Sequence, residues 1–255
     1  KRQDYRDACK NYYYVDKTLM IKEFLDERPK VSLFTRPRRF GKTLNMDMLR
    51  TFFEKTTEDT SVYFRDKKIW SCGGSYLAHH RKYPVIFLSF KDVKYTSWEE
   101  TYQTLQKLIA QEFRRHDELA SSCALSDYEK EEYSLLATEA ADEVEYQMSL
   151  RTLTLLLHKH HDVAPIVIID EYDTPIQQGH VSGFYDTIIG FMRNLFSGGL
   201  KDNPHLSYGF LTGILRVAKE SIFSGLNNLK INSILDERYS KSVSYTHLRA
   251  HETLS

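Results

Sequence analysis

The 255-residue chain is poor in cysteine, glycine and proline, with 3, 11 and 6 of each. Cys9, Cys72 and Cys123 are odd in number, far apart and contain no CxxC pair, so neither a disulfide framework nor a structural zinc site is supported. Few glycines and prolines beside 41% apolar and 13% aromatic residues exclude a disordered or fibrous chain. Net charge is also lacking: 35 basic and 35 acidic residues cancel, which removes the electrostatic case for a constitutive nucleic-acid binder. No apolar run approaches the roughly 20 residues that span a bilayer. Lys1-Arg2-Gln3-Asp4-Tyr5 is followed by no hydrophobic export segment and preceded by no Met, so the expectation is a reducing, cytoplasmic chain whose true start is missing. No repeat appears at the periods of about 20–50 residues typical of solenoids.

The prolines divide the sequence. Pro84 and Pro165 stand directly before Val85-Ile86-Phe87-Leu88 and Ile166-Val167-Ile168-Ile169. Val31–Phe34 follows Pro29, and Leu206–Thr212 follows Pro204. These runs are short, β-branched or aromatic, and not strictly alternating, which predicts strands buried on both faces as in a parallel sheet. Between them the spacing turns helical. Ile21, Phe24 and Leu25 mark one helix, with Asp16 as its expected N-cap; Leu44, Met48, Leu49, Phe52 and Phe53 mark a second. Trp98, Tyr102, Leu105, Ile109 and Phe113 form an amphipathic face, as do Phe184, Ile188, Phe191, Met192 and Leu195. From Ser121 to Asp142 the chain is acidic with few large apolar residues, so 121–147 reads as a helical insertion or a surface loop. Strands alternating with helices predict an α/β fold, a three-layer helix–sheet–helix arrangement with a mainly parallel sheet.

Strand Val31–Phe34 runs into Thr35-Arg36-Pro37-Arg38-Arg39-Phe40-Gly41-Lys42-Thr43 and then a helix, nearly the P-loop pattern GxxxxGK[ST]. Backbone N–H groups at a helix N-terminus attract an anion, so residues 36–44, including Leu44, are the candidate phosphate cradle. Gly41 lets the backbone approach the phosphates, Lys42 supplies a charge to the β- and γ-phosphates, and the Thr43 hydroxyl is a ligand for Mg²⁺. Arg36 stands where the pattern has its first glycine.

Ile166-Val167-Ile168-Ile169-Asp170-Glu171 has the form of a Walker B strand ending in paired acids. Asp170 is expected to hold Mg²⁺, and Glu171 to orient or deprotonate the attacking water. Adjacent acids here separate hydrolytic ATPases from most P-loop kinases. Tyr208–Gly213 ends in a hydroxyl; in additional-strand ATPases a polar residue there touches the γ-phosphate or the water. Thr212 is the candidate sensor, or else a strand-end hydroxyl capping the next turn. Arg216 is a candidate for stabilising phosphate charge, or a surface arginine.

Tyr13-Tyr14-Val15-Asp16-Lys17-Thr18, the Arg36–Thr43 loop, Asp170-Glu171-Tyr172-Asp173-Thr174-Pro175 and Gly213 through Asn228 together resemble the bacterial AAA-ATPase-like proteins, over about residues 5–240. The resemblance implies an ASCE-type, AAA-like P-loop NTPase fold with ATP and Mg²⁺ as ligands. Arginine at the first glycine position is characteristic of that family. Members often carry a C-terminal PD-(D/E)XK nuclease-like domain, expected to be absent here. The resemblance further implies that Tyr14 and Asp16 flank the adenine, the alternative being an aromatic packed on the sheet edge. Residues 1–241 are thus one expected ATP-binding domain. The tail 242–255 resembles an in-frame translated sequencing adapter, and its two histidines carry no functional weight.

Weaker signals read blandly. His158, His160, His161 and Asp162 either hold a metal or, more simply, close a helix C-terminus. His79-His80-Arg81-Lys82 reads as a solvated basic turn, and the sequence does not decide whether Tyr172 and Asp173 lie at a subunit or domain contact. The functional expectation is an ATPase acting on the β–γ phosphoanhydride and driving a conformational change in an effector domain, with a homo-oligomer possible and no membrane partner. A nucleotide-dependent switch with little hydrolysis is the alternative, and a small-molecule phosphotransferase a third class.

Overall fold

A computed structural model describes residues 4–12, 14–35, 41–214 and, for the backbone alone, 229–232. Strands β1 (Val31–Thr35), β2 (Val85–Ser89), β3 (Ile166–Asp170), β4 (Tyr208–Gly213) and β5 (Leu229–Asn232) form a sheet in the order β2-β3-β4-β1-β5. Every pairing in it is parallel. β4, late in sequence, thus lies between β1 and β3. The last strand was not expected from sequence, because its four residues alternate apolar and polar at the end of the sheet instead of forming an apolar run. β4 opens at Tyr208, as the Tyr208–Gly213 reading has it, and not at Leu206: the amide of Leu206 donates to the Asn203 carbonyl (3.3 Å), holding the approach to the strand in a turn.

Side-chain parity sorts the sheet into two faces. Phe34, Ile166, Ile168 and Phe210 face one way and share a core with Tyr5, Ile21, Phe24, Phe52 and Phe53. That core belongs to α1 (Tyr5–Asn11), α2 (Leu19–Glu27) and α3 (Lys42–Phe53). The short α4 (Gly74–Leu77) lies beyond them in sequence. Leu33, Ile86, Leu88, Val167, Ile169 and Leu211 face the other way. They meet Leu105, Ile109, Phe113, Leu153, Leu157 and Phe191 from α5 (Trp98–Arg115), α7 (Glu143–His161) and α9 (Tyr185–Leu200). Completing this layer are α6 (Asp127–Ala137) and α8 (Thr174–Ser182). Each side chain buried this way contributes about 1.5–3 kcal/mol relative to exposure. This is the expected three-layer α/β arrangement.

Local chemistry explains the helix starts, with one correction. Ser97 caps α5 through the Glu100 amide. Ser126 with Glu129, and Asp142 with Glu145, form reciprocal capping boxes that start α6 and α7. These boxes make helix out of residues 127–137 despite their sparse apolar content. Tyr133, Leu136 and Tyr146 are buried in the core beside α5, and the Tyr133 hydroxyl donates to the Phe113 carbonyl (3.2 Å). Asp16, however, is not the N-cap of α2; Thr18 holds that position. Asp16 instead accepts from the Thr18 amide and hydroxyl (2.9 and 2.7 Å) and from the Lys68 amide (2.8 Å), closing the turn ahead of the helix. Among the described residues no helix is long and apolar enough to cross a membrane.

Candidate nucleotide-binding site

The carboxyl ends of β1, β3 and β4 bring together residues remote in sequence. Ile169 pairs with Leu211, so Asp170 and Thr212 are the next residues up and point to the α3 face. There the Thr212 hydroxyl donates to Asp170 Oδ1 (2.5 Å) and the Thr43 hydroxyl to Asp170 Oδ2 (2.7 Å). Asp170 is fully buried, and among the described residues it takes hydroxyl protons without forming an ion pair. Thr212 Oγ1 in turn accepts from the Glu171 amide (3.1 Å), and the Thr212 carbonyl from the Tyr172 amide (3.0 Å). One hydroxyl therefore joins both acids. Ser89, the register partner of Asp170, carries a buried hydroxyl with no hydrogen-bond partner among the described residues.

Lys42 opens α3 and is 8% exposed; its ammonium donates to the Gly213 carbonyl (3.3 Å) at the end of β4. Gly41, the N-cap, has φ +72°, a left-handed conformation that glycine adopts at no steric cost. Glu171 also has positive φ (53°), where a side chain costs roughly 1–2 kcal/mol. The chain thereby breaks sharply out of β3. The Glu171 carboxylate accepts from the Thr174 hydroxyl (3.2 Å).

Tyr172 and Asp173 are buried within the chain's own fold. Asp173 Oδ2 accepts from the Ile214 amide and the Gln177 side chain, both at 2.8 Å. A Cβ on Gly213 would stand 2.5 Å from Tyr172 Cε1, so the end of β4 is packed flush against this turn. Sequence reading did not select Asp173 for this tie; an acid at the start of a helix was its available signal.

The Tyr14 hydroxyl donates to Met48 Sδ (3.3 Å) on α3, its ring meets Tyr5 edge-on, and burial pushes the phenol pKa up. Asp16 lies on the same segment, its carboxylate committed to Thr18 and Lys68. Leu44 packs against the aromatic core under α3. Arg36, Pro37, Arg38, Arg39, Phe40 and Arg216 lie outside the described residues, as does the tail from Ser242. The Lys17 ammonium lies 3.7 Å from the position a Cβ on Gly41 would take.

The histidines divide as α7 ends. His158 Nδ1 meets His205 Nδ1 (3.0 Å), His160 Nδ1 meets Ser122 (2.7 Å), and His161 Nε2 meets Glu118 (3.3 Å). These partners, from two segments, occupy the imidazoles, and no metal-holding group occurs among the described residues. His79 and His80 are not a solvated turn. His79 bonds the Tyr83 hydroxyl (2.6 Å) and His80 the Thr60 hydroxyl (3.0 Å), and burial pulls both imidazoles below their ordinary value.

A parallel sheet with β4 inserted between β1 and β3, and a glycine-capped helix directly after β1, define an AAA-like P-loop fold. The family described as "Predicted AAA-ATPase" matches residues 3–223, and the chain belongs to it. It is also similar to an uncharacterized protein from the vnfD 5′ region of Azotobacter chroococcum mcd 1, at 28% identity over 240 residues. That match covers 92% of this chain but 40% of the relative, so the chain spans well under half of that protein's length. No solved structure matches the chain.

Proposed function

We propose that the chain binds MgATP at the carboxyl ends of β1, β3 and β4 and hydrolyses its β–γ phosphoanhydride. The observation that carries this reading is the joining of Thr43, Asp170 and Thr212 by hydrogen bonds of 2.5–2.7 Å beside a buried Lys42. A hydroxyl and a carboxylate are the hard oxygen donors that Mg²⁺ takes, and the unpartnered Ser89 hydroxyl beside them suits the water such an ion retains. Thr43 and Asp170 would hold the ion, which when bound neutralises phosphate charge.

The chain's own groups supply the rest. Lys42 exchanges the Gly213 carbonyl for a phosphate oxygen, a stronger, charge-assisted acceptor. Glu171 accepts the proton of the attacking water, its carboxylate held at the turn by Thr174. Thr212 acts through the two acids, because its hydroxyl is shared between Asp170 and the Glu171 amide. By sequence pattern and family resemblance alone, Arg36, Arg38, Arg39 and Arg216 are proposed as phosphate contacts and Tyr14 with Asp16 as adenine contacts. Hydrolysis then resets the turn after β3 and the end of β4, tied together by Asp173 and Ile214, and passes the change to an effector domain of the nuclease-like kind in a longer protein.

Single-turnover hydrolysis of ATP by the wild type and Glu171→Gln tests this. The variant is expected to lose roughly 10²- to 10⁴-fold in rate while still binding MgATP. Equal, negligible rates with binding intact would favour a nucleotide switch. A wild type that does not bind MgATP would sink the proposal.

A further inference from the structure

We propose that the outer groove between α6 and α7 is a docking surface for a basic amphipathic helix of a partner protein, independent of the nucleotide site. A cavity of about 320 Å³ lies there, lined by Glu132 and Leu136 from α6 and by Val144, Met148, Thr152 and Leu155 from α7.

Both helices turn a stripe toward it. Val144, Met148, Thr152 and Leu155 recur at intervals of four, four and three, which places them on one side of α7 along about 16 Å of axis. On α6, Tyr128 lies one turn before Glu132, and Leu136 one turn after it. α7 spends a different stripe, Tyr146, Leu150, Leu153 and Leu157, on the core. Its outer stripe is therefore a second face that the described fold leaves open: Val144 is 65% exposed and Met148 36%, with Tyr128 on α6 at 69%. Neighbouring apolar side chains left in water beside a cavity and rimmed by charge mark a contact surface. Two helices offer no open strand edge, so an occupant gains nothing from main-chain pairing and must fit by its side chains.

Charge selects the occupant. Residues 121–147 hold eight acids and one base, Lys130, in a chain that is neutral overall. Some of these acids are answered within the fold, Glu129 by Lys159 (2.6 Å) and Glu139 by Arg114 (3.4 Å). Glu132 and Glu145, which line the cavity, and their neighbours Glu131 and Glu143 form no ion pair among the described residues. Arg151 is the one base lining the cavity. Burial pushes the Glu132 carboxyl above its ordinary value against a hydrogen bond from Tyr128, and the charges of Glu129 and Glu145 add to the rise. A cation arriving at this rim relieves that repulsion. An apolar groove with an acidic rim thus matches a helix that carries apolar anchors on one face and lysine or arginine on its flanks.

The test titrates the full chain with a synthetic peptide of about 18 residues, leucine on one helical face and lysine on the other. One control reorders the same residues so that leucine is spread around the helix; a second keeps the pattern with glutamate for lysine. The patterned basic peptide is expected to bind with a Kd below about 100 μM, and each control roughly 10-fold or more weakly. Val144→Ser with Met148→Ser should weaken binding roughly 10-fold at unchanged Tm, because both positions are exposed. Glu132→Gln with Glu143→Gln should weaken it less and flatten its salt dependence. If the double serine variant melts early, Val144→Ser alone is read in its place. Equal binding of the reordered peptide, or wild-type affinity in the folded serine variant, would overturn the groove as the site. Equal binding of the acidic peptide would overturn the basic occupant, and no binding below about 100 μM would overturn the proposal whole. Sedimentation equilibrium of the chain alone addresses the other occupant: self-association that the serine variant loses would replace the partner helix by a second copy.

Discussion

Two clusters of buried charge, one at each end of the sheet, handle their acids in opposite ways. At the amino end of β2, Arg115 bonds Glu112 (2.6 Å), Glu54 (2.5 Å) and the Val85 carbonyl. Glu112 also accepts from the Phe87 amide (2.8 Å), and His116 sits between Glu112 and Glu118 at 3.5 and 3.4 Å. Burial pushes the Glu112 carboxyl up, but His116 and Arg115 outweigh it and hold the group below its ordinary value. Acids there are answered by cations, and the cluster is closed. At the carboxyl end of β3, Asp170 is answered by the Thr43 and Thr212 hydroxyls. Hydroxyls satisfy a carboxylate's hydrogen bonding without cancelling its charge. A buried acid treated this way keeps an attraction for a cation from outside the chain. The first arrangement builds a wall, the second a candidate site.

The contrast predicts separable failures. The largest effect is expected from Lys42→Met, which should lower MgATP affinity at least ~100-fold, measured by calorimetry, with little change in Tm. A large drop in Tm with affinity intact would move Lys42 into the structural class. Next comes Arg115→Met, which leaves Glu112 and Glu54 without their shared guanidinium. It should cost about 3 kcal/mol by denaturant unfolding, the low end of the range because Arg115 is partly exposed, and should not alter MgATP affinity once folded. Loss of nucleotide affinity in that variant would erase the distinction between the clusters.

The smallest effect is a pH dependence of stability. Burial pulls the His116 imidazole down, but hydrogen bonds to Glu112 and Glu118 outweigh it and hold its pKa above the ordinary 6.5. A raised folded value stabilises fully below about pH 6.5 and loses that contribution as pH climbs through it. For Glu118 burial acts upward, yet His116 and His161 pull the carboxyl well below its ordinary 4.5, so its contribution is present above about pH 4.5 and lost on acidification. The slope of Tm against pH on the alkaline side of 6.5 should therefore be more negative in the wild type than in His116→Asn, the imidazoles of His79 and His80, held below their ordinary value, acting in the opposite sense in both. An unchanged slope would show that the imidazole is not charged in the fold.

Much of this was legible in one dimension because the signals are local. The apolar runs at 31–34, 85–88 and 166–169 need burial on both faces, and Gly41-Lys42-Thr43 between a strand and a helix has few other uses. The failures share one cause. Asp16 resembles an N-cap by position, yet its second oxygen is claimed by Lys68, far along the chain. His158, His160 and His161 look like a metal cluster until partners from two other segments, Glu118 with Ser122 and His205, claim them. Tyr133 and Tyr146 sit in an acidic stretch, and only the packing of α6 and α7 beside α5 shows that they are core.

Periodicity, strand composition and the glycine–lysine–threonine turn are properties of neighbouring residues, so the chain alone determined the α/β class, the start of α3 and the pair of acids at the end of β3. Which groups meet is a different matter. Only parallel pairing of β3 with β4 puts the Thr212 hydroxyl on Asp170, and only the fold of the segment before β1 delivers Lys17 to Gly41. Side-chain spacing is read within a few residues, whereas hydrogen bonds and charge pairing act across space. The tertiary structure therefore decided which of the charges became a site.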